Sequence, residues 1–402
     1  MAAIAVRAPG VSGQTAPAAL SIPTLTAPDA QDLRDVAPLV SRGLVMLTFV
    51  MDHRENNRVT HVFRVRAPIA TVRSVITHPE AYPQFMPIVR SVNIEARFGR
   101  RTSFQFRAAA AMFDVNVHAA MHEVSDRRVD MVIAQSDLGA SASRWDLTEE
   151  SSDSTLVALT MWCDPGRGNW LMQQVVAQSP WAPGGASVVA GGVLALGVRR
   201  YAENLAGAHL PIRPATPTVR ADVLQPPTPG TWMNPTQHRR NVVAVTLDAQ
   251  GAMREVSAVS FTTATPAAVA QRMADVEHYN GVWSWLTAGR VVSRPTPNAV
   301  RFELGIGSPQ AAVRGELVRT IEDHGMRVCV NGVAGGFAGE NTRWDVVPAS
   351  GGGTYLILTG GSEANHLGFW HRMIAGLDPW AVVGLTVHWK MMFLLHGLAG
   401  IW

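Results

Sequence analysis

A chain of 402 residues is long for one domain and suits two of about 150 residues each, enough for each to bury a core without disulfides. Hydrophobic residues make up 47% and charged ones 16%, below the roughly 25% charged of ordinary soluble domains, so the chain either meets lipid or lines an apolar cavity as well as a core. A net charge of +3 without long basic runs argues against nucleic acid as a partner, and two isolated cysteines, Cys163 and Cys329, argue against a disulfide framework or a zinc site.

Residues 1–42 are rich in Ala, Pro, Thr and Ser without a sustained period and are predicted to be a disordered tail. Their apolar stretch is broken by Arg7 and Pro9, too early for a secretory signal, and a cytoplasmic location is expected. Residues 43–51 and 57–66 read as a hairpin. Pro68 opens a short helix at its first helical position, with Val72, Val75 and Ile76 as the apolar side. Pro79, Pro83 and Pro87 then break the chain, and Val89 to Cys163 reads as successive short strands. Helices follow at 168–178 and about 185–206. Ala182 to Val198 carries no charge, but it falls short of the roughly 20 residues of a membrane span and opens on a Pro-Gly-Gly break, so it is read as a helix buried on a sheet.

Residues 210–239 hold Pro211, Pro214, Pro217, Pro226, Pro227, Pro229 and Pro235 and are predicted to be an extended linker between domains at 43–209 and 240–402. The second block repeats the order of the first: hairpin 241–262, helix 266–274, broken segment 277–288, strands 290–361 and helices 366–376 and 380–399. Val59, Val62, Val72, Ile76, Glu80 and Tyr82 recur as Val256, Val259, Val269, Met273, Glu277 and Tyr279, a shift of 197 positions. Glu123, Arg144-Trp145-Asp146, Thr155 and Pro180-Trp181 recur as Glu322, Arg343-Trp344-Asp345, Thr354 and Pro379-Trp380, a shift of 199. A collinear series with one small insertion is a duplication. Each copy has an α+β order, a run of antiparallel strands closed by a long helix, which leaves an elongated space between sheet and helix.

The stretch Val62-Phe-Arg-Val-Arg-Ala-Pro68, with Val72, Ile76 and His78-Pro-Glu-Ala-Tyr82-Pro-Gln-Phe85-Met-Pro-Ile-Val89, resembles the opening of the polyketide cyclase/dehydrase and coenzyme Q-binding families of the START-like (SRPBCC) superfamily. The resemblance continues through the Trp145 strand and the closing helix, and runs more faintly through 241–402. It implies two helix-grip domains, each a curved antiparallel sheet around a long C-terminal helix with a hydrophobic cavity between them. The function it implies is binding or carriage of a lipid, quinone or polyketide without a cofactor. The alternative is a di-domain polyketide aromatase/cyclase, whose partner would be an acyl carrier protein. Peripheral contact with a membrane is a further expectation.

The residues themselves offer candidates for such a pocket. Trp145 and Trp344 alternate with Arg and Asp on a strand, as pocket-lining indoles or as core residues beside an ion pair. Arg107 and Arg314 could stabilise a developing enolate if they face inward. Tyr82, Phe85 and Trp162, with Tyr279 and Trp283 in the second copy, complete the candidate ligand-binding set. His118 and His122 share a strand face with Asp114, either as a proton-transfer cluster or as a hydrated outer face, and the latter is preferred.

Overall fold

The computed structural model describes residues 22–41, 43–49, 58–110, 113–134, 136–178, 182–211, 240–251, 253–279, 286–306, 313–339 and 341–361. Strands β1 (Gly43–Phe49) and β2 (Arg58–Val65) form the first hairpin. Helices α2 (Ile69–Thr77) and α3 (Tyr82–Phe85) follow; Pro68 is the cap of α2 and not its first helical residue as predicted, because the helix begins one residue later. Six strands come next: β3 (Val89–Phe98), β4 (Arg101–Ala110), β5 (Phe113–Ser125), β6 (Arg128–Ile133), β7 (Ala140–Ser151) and β8 (Ser154–Asp164). Helices α4 (Trp170–Gln178) and α5 (Ala182–Leu205) close the first repeat. The second repeat has β9 (Arg240–Leu247), β10 (Met253–Thr262), α6 (Pro266–Ala274), β11 (Leu286–Thr296), β12 (Ala299–Ile306), β13 (Val313–Glu322), β14 (Arg327–Gly335), β15 (Asn341–Pro348) and β16 (Thr354–Gly361). The predicted linker core and the two final helices lie outside the described residues.

Among the described residues the 16 strands belong to one antiparallel sheet, ordered β11-β12-β13-β14-β15-β16-β10-β9-β1-β2-β8-β7-β6-β5-β4-β3. The ladders repeat as the sequences do. Trp145 faces Leu159 and Val129, as Trp344 faces Leu358 and Val328. Thr60 faces Thr160, as Ser257 faces Thr359. Side chains repeat too: the Thr155 hydroxyl donates to Ala67 O at 2.9 Å, and that of Thr354 to Ala264 O at 2.7 Å. Glu80 pairs with Arg97 and Glu277 with Arg294. One correspondence slips. Glu123 faces Val129, but it is Ile321 that faces Val328, so Ile321 and not Glu322 holds the Glu123 position; bulges at Glu123/Ser125 and Glu316/Leu317 move the register by one residue.

The repeats meet where β1 pairs with β9 from Gly43↔Thr246 to Phe49↔Arg240. Met46 faces Val243, its own counterpart, while Val45 faces Ala244 and Leu47 faces Val242, so the junction has the reciprocal pattern of a two-fold interface. Gly43 permits the close approach, since a Cβ there would lie 2.0 Å from Val245 O. On one face the cores of both repeats merge into a single cluster through Leu44, Met46, Val243 and Val245.

The opposite face of this seam is covered by α1 (Ala30–Val40), which Asp29 caps by accepting from Gln31 N at 2.7 Å. Val36, Leu39 and Val40 of α1 pack on Val45, Leu47 and Val62 of one repeat and on Val242, Ala244 and Val259 of the other. Before it, Ile22 and Leu25 lie on Ala140, Ala142 and Trp162, and Leu25 O accepts from Arg144 at 3.1 Å. The predicted disordered tail is therefore corrected over residues 22–41, where buried apolar side chains outweigh a low-complexity composition; residues 1–21 lie outside the described residues. Leu39→Ala should lower the unfolding free energy by about 2–4 kcal/mol and shift the denaturation of both halves together. A loss confined to one of two separate transitions would contradict a seam shared by the repeats.

Candidate functional site

Strand alternation sets the inner face of the first repeat. β2 turns Val59, His61, Phe63 and Val65 toward α5, and β8 turns Val157, Leu159 and Met161 the same way. Helix α5, without charge from Ala182 to Val198, packs chiefly on these two strands and on α2 and α3. At the contact, a Cβ on Gly191 would lie 2.2 Å from the imidazole of His61, so only glycine lets the helix settle over that ring. His61 is fully buried and donates through Nε2 to Val188 O at 3.2 Å. Burial lowers its pKa to about 4, against the opposing pull of the Val188 and Leu159 backbone groups. At the other end, the buried Glu203 carboxylate accepts from Arg66 N and from Arg199 Nε, each at 3.1 Å, tying the last turn of α5 to the end of β2.

Beyond the footprint of α5 the inner face continues across β7, β6, β5 and β4. Met121 faces Met131, Met131 faces Ser143 and Ser143 faces Met161, one transverse row with three thioethers and a single hydroxyl. Ser143 is 3% exposed and its Oγ has no hydrogen-bond partner, an arrangement that costs about 1–3 kcal/mol. Ile94, Phe106 and Ile133 are only half-buried on this side. Tyr82, Phe85 and Phe104 close one end edge-on, with rings 5.7 and 6.1 Å apart, and Phe85 stacks on Tyr201 of α5 at 4.6 Å. The Tyr82 hydroxyl is used up on Ile76 O at 2.6 Å. Cys163 also faces α5; burial pushes its thiol up to about 12, so it is no nucleophile at neutral pH.

Of the candidate residues, Tyr82, Phe85 and Trp145 come together in this interior. Trp162 does not: it lies on the outer face under Leu25, with Arg167 over its ring at 5.5 Å. Arg107 also points outward, bound through Nε to Asp114 at 2.6 Å, because the inward positions of β4 are Phe104, Phe106 and Ala108. Arg314 is exposed as well. Neither arginine therefore reaches the interior, and the enolate role is withdrawn for both. Trp344 is buried in the shared core, and the side chains of Tyr279 and Trp283 lie outside the described residues. The Arg-Trp-Asp triplets are core indoles flanked by ion pairs, Arg144–Asp146 and Arg343–Asp345, both at 2.7 Å. His118 lies on the outer face beside Glu95 at 3.0 Å.

The inward cation that sequence reasoning missed is Arg319. It is 3% exposed, faces Val330 at the place of Met121, and donates to the carbonyls of Met273, at 3.2 Å, and Ala274 at the end of α6. The period-2 pattern Gly315, Leu317, Arg319 held the signal, since it puts Arg319 on the face of Leu317.

No family model and no curated protein matches the chain. Solved structures do. One is the di-domain ARO/CYC StfQ from the steffimycin biosynthetic pathway, at 14% identity over 85% of this chain and 98% of that one, with a TM-score of 0.29. Another is a START superfamily protein from Mycobacterium smegmatis, at 19% identity over 37% of this chain and 98% of that one, TM-score 0.29. A third is the Zhui aromatase/cyclase from Streptomyces sp. R1128, at 16% identity over 37% and 94%, TM-score 0.31. The chemistry of the interior follows from this chain's own residues.

Two outcomes test the His61–Gly191 contact. The folded pKa of about 4 lies below the unfolded 6.5, so the contribution of neutral His61, about 3 kcal/mol, is complete above pH 6.5 and is lost as pH falls toward 4. His61→Leu should flatten that limb of the stability curve. Gly191→Ala should cost about 1–3 kcal/mol, with much of it recovered in the double variant carrying His61→Ala, the residue type of Ala258 in the second repeat.

Proposed function

We propose that this protein binds and carries a hydrophobic small molecule, a lipid, quinone or polyketide, and that its halves at 43–209 and 240–402 are helix-grip domains. The carrying observation is the placement of α5: it covers β2 and β8 while the inner face of β4 to β7 presents Phe106, Ile133, Met121 and Met131 beside it. Methionines are unbranched and reshape readily around varied apolar partners. Arg107 and Asp114 of that part of the sheet lie on the outer face. Among the described residues no helix is long and apolar enough to cross a membrane, and exchange of cargo with a lipid surface would be peripheral. Trp170, 72% exposed at the start of α4, suits such contact.

The second reading, ring closure on a polyketide delivered by an acyl carrier protein, draws support from Arg319 alone, the described cation on the inner face of the second repeat. Purification without detergent, followed by solvent extraction and mass spectrometry, should recover an apolar molecule in stoichiometric amount. Recovery of none, together with no rise in melting temperature on adding oleate, a short-chain ubiquinone or an aromatic polyketide, would sink the carrier reading. Cyclised product from a carrier-bound poly-β-ketone, lost in Arg319→Met, would replace it with the enzymatic one.

A further inference from the structure

Ser143 stands out within the row that runs from Met121 through Met131 to Met161, because its hydroxyl is buried and unpaired where alanine would pack without that cost. β7, which carries it, lies just beyond the strand on which α5 rests, at the edge of the helix's footprint on the inner face. The second repeat keeps a buried hydroxyl in the same register: Thr342 faces Val330 on one side and Gly360 on the other. The flanking side chains have thus changed from methionine to valine and glycine while the hydroxyl has stayed.

We propose that Ser143 is the polar contact for the ligand of the first repeat, and that this ligand is an apolar molecule bearing a carbonyl or hydroxyl oxygen. The inference rests on the hydrophobic-ligand reading and narrows it. Met131 and Met161, on either side of Ser143, are the side chains that shift to admit the ligand, and the hydroxyl then gains the hydrogen bond it lacks in the empty protein. Being uncharged, the contact selects an oxygenated ring or chain over the hydrocarbon of the same shape.

The test uses the full-length protein and two probes of one shape, 2-methyl-1,4-naphthoquinone and 2-methylnaphthalene, titrated by calorimetry with tryptophan quenching as a second readout. The unsubstituted protein should prefer the quinone. Ser143→Ala should weaken quinone binding about five- to tenfold, leave the hydrocarbon within about twofold, and raise the melting temperature of the ligand-free protein. Ser143→Thr, the hydroxyl of the second repeat, should retain the preference. Equal affinity of the unsubstituted protein for both probes, or equal loss of both in Ser143→Ala, would overturn the role of Ser143 while leaving the carrier reading intact. Binding of neither probe, with no apolar molecule recovered on extraction, would overturn the carrier reading and this inference with it.

Discussion

The pairing of β1 with β9 is the constraint on which the architecture depends. A strand edge exposes unpaired amides and carbonyls, and each repeat alone would carry such an edge at its first strand. Here each edge is covered by the equivalent edge of the other copy, with Met46 against Val243 at the centre. Hydrogen bonding makes one sheet of two repeats, and the side chains on each face then have no boundary at which to stop. One face merges both cores, and the other is sealed by α1, which packs mainly on β1 and β2 and shares its apolar cluster with Val242, Ala244 and Val259 of the second copy.

The seam also defines what differs between the halves. Both copies share ladders, the threonine contacts of Thr155 and Thr354, and ion pairs, which are properties of the sheet and its connections. They part company on the inner face: His61, Phe63, Met161 and Met121 of one become Ala258, Ser260, Gly360 and Arg319 of the other. Duplication thus preserved the frame and released the lining, the division expected when the frame serves stability and the lining serves recognition.

Much of this was legible in the sequence. The hairpins, α6 and the strand alternation follow from local periods, and the duplication follows from collinear matches that need no structure. The seam was not legible, because strand pairing between distant segments leaves no period. α1 was hidden by its surroundings, although Leu33, Val36, Leu39 and Val40 have helical spacing behind a capping Asp29. The interior was legible for Tyr82, Phe85 and Trp145, whose apolar character and placement agree. It was left open for Arg107 and Arg314, whose role depended on facing inward: both share a strand face with polar neighbours, and the same alternation leads to Arg319. Ser143 gave no local sign, since a serine between alanine and arginine is unremarkable until its neighbours across three strands are known to be methionines.

The glycine above His61 bears on how the duplication has persisted. Two similar stretches within one gene invite recombination, which tends to erase their differences or delete one copy. A hybrid that kept His61 but took any residue other than glycine at position 191 would drive a side chain into the ring, and the aligned position of the second copy is Lys390. Exchanges that leave His61 without Gly191 therefore carry a packing penalty, which disfavours that class of recombinant.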